Sequence, residues 1–154
     1  MLEPDASWFE LHTTTDNSLT PSPVTYTVFD PYEELLWTGL SSGRVASYLN
    51  PGLERHTCFA AQSSEIRSLI VDEDGVFSLS TNTLRYHKRG GLLLLSHSTP
   101  KMQNLSCAMF SSAKHNEMAI AGDLPTMFVF DVATARITRE VPVKQGVAAM
   151  KFGK

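Results

Sequence analysis

VTYTVFDPYEELLWTGLSSGRVASYL, residues 24–49, holds three short apolar runs separated by two polar turns. Val24, Tyr26 and Val28 alternate with Thr25, Thr27 and Phe29, a β-branched and aromatic pattern that suits a pleated, half-buried strand. Asp30-Pro31 ends it, because proline has no N–H for a strand ladder. ELLWT, Glu34 to Thr38, reads as a second strand ended by Gly39. Ser41-Ser42-Gly43 reads as a hairpin turn in which Gly43 is free to take a positive φ. Arg44 to Leu49 is the third strand, Asn50-Pro51-Gly52 a further turn, and Arg55 to Phe59 a fourth, outer strand.

The same plan returns along the chain. Val24 maps onto Ile66, Leu105 and Val147, in steps of 42, 39 and 42 residues. The second repeat is the least regular: Ile66 to Val71, Val76 to Ser80, Leu84 to Lys88 and Leu92 to Ser96. The third reads Leu105 to Phe110, Glu117 to Ala121 closed by Gly122, Thr126 to Phe130, and Arg136 to Val141. Val147 to Phe152 then reads as the first strand of a fourth repeat. No segment shows sustained helical periodicity with caps, so almost no helix is expected. Strand repeats near 40 residues are the signature of WD40-type propeller blades, which bury their faces on one another. The expected class is all-β: a partial WD40-type β-propeller with blades at about 24–60, 65–97 and 104–142 and another beginning at 147. Three blades and one strand do not close a ring, so the sequence is expected to be part of a longer chain or a truncated product.

Residues 1–23 form a separate N-terminal segment. Its Thr/Ser-rich run from His12 to Ser22 and Pro21-Ser22-Pro23 read as loop, with Trp8, Phe9 and Leu11 as a short anchoring strand. The segment opens with acids and no basic region, so no secretory signal is expected in it. A net charge of −3 argues against a protein that coats nucleic acid. Leu92 to Leu95 is only four residues long, far from the roughly 20 of a membrane helix, and no membrane contact is expected. Cys58 and Cys107 are far apart with no CxxC, which fits a reduced, cytosolic setting.

Candidate chemistry is sparse. No Asp-x-Glu, the usual strand-borne start of a two-metal nuclease site, occurs. Asp72-Glu73-Asp74-Gly75 is the only acidic cluster, and Thr83 stands where a calcium loop needs its bidentate glutamate, so a solvated turn is expected. His12, His56, His87, His97 and His115 form no metal motif, and neither a P-loop nor a serine nucleophile elbow is expected. Arg85, Tyr86, His87, Lys88 and Arg89 form the one basic run and the candidate surface-contact loop. An aromatic beside cations can stack a base and hold a phosphate, but the run is short and RNA contact through it is expected to be weak. Trp37, Phe110 and Phe130 sit at apolar strand positions and are expected in the core, with Phe130-Asp131 standing where WD repeats carry their Trp-Asp pair.

FDPYEELLWTGLSSGRVASYLNPGLERHTCF, Phe29 to Phe59, resembles the first WD40 blade of the catalytic subunits of the poly(A)-nuclease (Pan) deadenylase family. GVFSLS, TLRYHKRGG and TMFVFDV are similar to the next two blades, and the resemblance covers about residues 24–152. ELLW-x-G followed by GRV is its more specific string; TMFVFDV alone marks only a WD40 repeat. The resemblance implies a non-catalytic scaffold segment serving mRNA poly(A)-tail shortening in the cytoplasm and in P-bodies. Implied partners are the family's regulatory kinase-like subunit and the rest of the segment's own full-length chain. In that family a linker, an inactive ubiquitin-hydrolase-like domain and a metal-dependent 3′ exonuclease domain follow the propeller. None of these is read in residues 1–154, so no cofactor is expected here; divalent metal belongs to the exonuclease domain. The alternative reading is a WD40 protein-interaction adaptor unrelated to mRNA decay, and a third is an enzyme with a site in the propeller channel.

Overall fold

The alternating runs fold into twelve strands in a computed structural model, which describes residues 21–150. In the first sheet β1 (Val24–Phe29), β2 (Leu35–Leu40), β3 (Arg44–Leu49) and β4 (Glu54–Ala60) pair antiparallel in chain order. The second is β5 (Ser68–Val71), β6 (Gly75–Leu79), β7 (Leu84–Lys88) and β8 (Leu93–His97). The third is β9 (Leu105–Phe110), β10 (Glu117–Gly122), β11 (Thr126–Asp131) and β12 (Arg136–Pro142). Among the described residues there is no helix. The first strands lie side by side, with β5 touching both β1 and β9, so the sheets stand as successive blades around a common hub. This is the propeller arrangement the period implied. The expectations for Trp8, Phe9, Leu11 and the rest of residues 1–20 fall outside the described residues.

The cores lie between blades. Leu35, Trp37 and Val45 of the first blade meet Leu69, Val71 and Val76 of the second. Phe77, Leu79 and Leu84 of the second meet Leu105, Met118, Ile120 and Phe130 of the third. Each sheet therefore buries one face on a neighbour, as stacked repeats must.

Three strand expectations need correction. The second strand does not stop at Thr38: Gly39 continues it, paired with Tyr26 on one side and Val45 on the other. Glycine is needed there by close approach, because a Cβ would enter the side chain of Ile66, which is fully buried. Ile66 itself lies outside its blade's first strand, which begins at Ser68. Its N–H donates to the Leu40 carbonyl of the first blade at 3.1 Å, and its carbonyl accepts from the Thr25 hydroxyl at 2.6 Å. Val147 repeats this two blades on, with its N–H on the Gly122 carbonyl at 2.7 Å and its carbonyl accepting from the Ser106 hydroxyl at 3.1 Å. Leu105 donates likewise to the Thr81 carbonyl at 2.9 Å. Ile66, Leu105 and Val147 are thus equivalent, as the period required, but they are the joints that tie each blade to the one before. Residues 147–150 accordingly form no strand; the bonds of Val147 go to the third blade, and Lys151 and Phe152 lie outside the described residues.

Gly39→Ala is expected to lower stability by about 1–3 kcal/mol, because overpacking a filled joint forces backbone or side-chain shifts. Thermal melts of Gly39→Ala and of Gly39→Ala/Ile66→Ala check it. Partial recovery in the double variant is expected, and a Gly39→Ala melt identical to wild type would remove the joint from the account.

Candidate inter-blade interface site

Proline at position 31 turns the chain out of β1, and the turn brings Asp30 back under its own loop. The Asp30 carboxylate is fully buried and accepts from the N–H groups of Tyr32 at 2.8 Å and Glu33 at 3.1 Å. It also accepts from the Trp37 indole Nε1 at 3.0 Å. Arg89, from the turn after β7, closes the group with both of its terminal nitrogens on the two carboxylate oxygens. The guanidinium also donates to the Glu73 carbonyl at 2.8 Å and the Asp72 carbonyl at 2.9 Å. One arginine therefore pins the β1–β2 loop of the first blade to the β5–β6 loop of the second. Burial raises the Asp30 pKa, but the Arg89, Trp37, Tyr32 and Glu33 donors outweigh it and hold the carboxyl at about 2.

Beside this pin a cleft of about 490 Å³ opens where the second and third blades diverge. Val71 and the buried ring of Phe77 form its floor. Tyr86 stacks on Phe77 with centroids 4.3 Å apart, and Phe110 meets Phe77 edge-on at 5.4 Å. Tyr32, 56% exposed, and Asp72 stand at the mouth, with His115, Asn116, Val132 and Ala133 on the opposite lip. Arg89 already lies 6.0 Å from the Tyr32 ring centroid. Burial, then the charges of Asp72 and Asp74, push the Tyr86 pKa up. The size suits a small ligand or a few side chains, and aromatic walls with a few polar groups at the mouth suit recognition.

The basic run is not the surface-contact loop expected of it; it follows the strand that the repeat places over Leu84 to Lys88. Residues 84–88 are strand β7, third in its sheet, and its two faces pack on different blades. His87 is buried against Phe59 of the first blade, with ring centroids 5.1 Å apart; burial, then Arg85, hold its pKa below the usual histidine range. Tyr86 faces the other way, onto the Phe77 stack. Arg85 donates to the Ala61 carbonyl at 3.1 Å and Arg89 goes to Asp30, which leaves Lys88 as the exposed cation of the run. The error has a physical source: charge marks a residue as exposed only if no buried partner awaits it, and Asp30 is 59 residues away.

Trp37 and Phe130 are 1% and 0% exposed. Phe110 is half-buried, because it stands at the end of β9 where the blades separate, and it lines the cleft. Asp131 caps its own turn, accepting from the Ala133 N–H at 2.9 Å. Among the described residues no three His, Cys, Asp or Glu side chains come together as a metal site. Contrary to the expectation that no nucleophile elbow would occur, Gly39-Leu40-Ser41-Ser42-Gly43 does have the G-x-S-x-G form. It lies in the β2–β3 hairpin instead of a strand-to-helix turn, and the Ser41 hydroxyl bonds Ser22 at 2.9 Å, not a histidine. The sequence reading missed the Asp30–Arg89 pin and the Tyr32 lip; only the proline after Asp30 hinted that this loop was shaped.

A family model described as PAN2 N-terminal matches residues 5–153. The PAN2-PAN3 deadenylation complex catalytic subunit PAN2 of Pyricularia oryzae is 36% identical over 97% of this chain, and that of Chaetomium thermophilum 34% over 85%. These matches take in 15% and 12% of the relatives' own lengths. The solved WD40 domain of Neurospora crassa Pan2 superimposes with a TM-score of 0.77 at 27% identity, covering 82% of this chain and 40% of that one.

Proposed function

The chain belongs to the PAN2 N-terminal family, and on that premise we propose that it is a non-catalytic scaffold segment of a deadenylation complex, docking protein partners during poly(A)-tail shortening. Its fold is that of the Pan2 WD40 region, which is not the catalytic domain. The observation that carries the proposal is where the likeness falls. It takes in 97% of this chain but 15% of a relative named as a catalytic subunit, and loops held on a rigid scaffold of this kind are the usual place for partner contacts. The partner proposed is the companion kinase-like subunit of the complex. A cytoplasmic site of action and the absence of a cofactor belong to the same reading.

Two measurements test it. The purified chain, incubated with labelled poly(A) and magnesium, is expected to leave the tail intact; shortening that vanishes on substituting Asp72 and Asp74 would overturn the non-catalytic reading. Added in excess to a reconstituted deadenylation complex, the chain is expected to compete with the full-length subunit and slow assembly. Assembly that proceeds at the same rate at every concentration of chain would overturn the docking role.

A further inference from the structure

We infer that the cleft between the second and third blades takes a single cationic side chain, lysine or arginine, presented by an extended peptide of a protein partner. The inference rests on the docking reading above and names the chemistry of what docks. Its first ground is the walls. Tyr32, Tyr86 and Phe110 surround a floor made by Phe77, and the faces of such rings carry the negative end of a quadrupole. Three to four rings around one opening make a poor seat for an anion and a good one for a cation with an alkyl stem, whose methylenes lie along the rings.

The second ground is charge. Asp72 lines the cleft, and Glu73 and Asp74 follow it on the same lip, both exposed. Glu33 adds a further carboxylate 3.6 Å from Arg89. Against these four acids stand Lys88, exposed, and Arg89, whose charge is already taken by Asp30. On the opposite lip Lys114 is paired with Glu117 at 3.3 Å. The mouth is therefore acidic on balance and repels a phosphate backbone, which argues for a peptide over RNA.

The third ground is that the protein performs this recognition on itself at the edge of the same opening. Arg89 approaches Tyr32 and donates to the carbonyls of Asp72 and Glu73. The lip is thus already shaped for a guanidinium, and the cleft beyond it is the unfilled continuation. The Asp72 carboxylate accepts its own loop's Glu73 N–H at 2.8 Å and a hydrogen bond from the Tyr86 hydroxyl, two neutral donors that hold it in place without neutralising it.

The test pans the full 154-residue chain against a displayed library of random decapeptides. The expected winners share one lysine or arginine next to an apolar residue. A synthetic winner is then titrated calorimetrically against wild type, Asp72→Asn and Phe110→Leu, with a melt of each variant to show that it is folded. Asp72→Asn keeps the shape and the loop bond, and is expected to weaken binding about fivefold to tenfold. Replacing the winner's cation by glutamine is expected to lower affinity similarly. No enrichment, acidic or neutral winners, equal binding of the glutamine peptide, or an unchanged Asp72→Asn affinity would each overturn the inference. So would a short oligo(A) that binds wild type and loses affinity with Phe110→Leu. None of these outcomes bears on the assembly competition above, so docking and its chemistry fail separately.

Discussion

Asp30→Ala is expected to remove about 3–5 kcal/mol of stability, the range for a buried ion pair that loses one partner. The substitution leaves the Trp37 indole N–H without an acceptor and strands the Arg89 guanidinium at the joint between two blades. It also frees the N–H groups of Tyr32 and Glu33, so the β1–β2 loop loses its anchor. Acid should act on the same network. The Asp30 pKa in the folded chain is about 2, below its ordinary 3.8. A folded pKa lower than the unfolded one means the stabilisation is complete above the unfolded value and is lost as pH falls through the folded one. The wild type should therefore lose about 2 kcal/mol from this carboxylate between about pH 5 and pH 2. Asp30→Asn, less stable at neutral pH, should lack that component. Urea melts of both proteins across this window measure it. Parallel pH profiles for the two would show that Asp30 does not carry the acid limb.

Trp37→Ala is the second large effect, expected at about 3–5 kcal/mol for truncating a fully buried aromatic. Trp37 fills the core between the first two blades, alongside Leu35, Val45 and Ile66, so the cavity opens at an interface that both blades need. Trp37→Phe separates ring from N–H: it keeps most of the volume and should cost about 1 kcal/mol for the hydrogen bond to Asp30. In a double-mutant cycle the Trp37→Phe and Asp30→Ala effects should not add, because each removes the same bond. A Trp37→Ala melt within a degree of wild type would contradict the placement of the ring, and an additive cycle would contradict the bond.

The repeat and the strand chemistry are legible in the chain read residue by residue. Alternating Val, Tyr and Thr from Val24, the turn at Ser41-Ser42-Gly43 and the recurrence at Ile66, Leu105 and Val147 are local or periodic signals, written in consecutive residues. They marked the blades because strand pairing within a blade joins near neighbours in the chain. The joints were half legible: the period found Ile66 and Val147, but strand propensity assigned them to the wrong partner. A residue's own type does not say whether its N–H will meet its own sheet or the previous one. The site exists only once the blades have packed. Asp30 and Arg89 are 59 residues apart, and Tyr32, Tyr86 and Phe110 come from three different blades. Arg85 to Arg89 look like a solvated basic loop in one dimension. In three, packing on both faces of β7 buries His87, stacks Tyr86 and leaves Lys88 exposed. Local chemistry fixes what each strand is, whereas charge pairing and the lining of a cleft depend on which strands the ring brings face to face. Those distances are set by the packing between blades, and no stretch of sequence contains them.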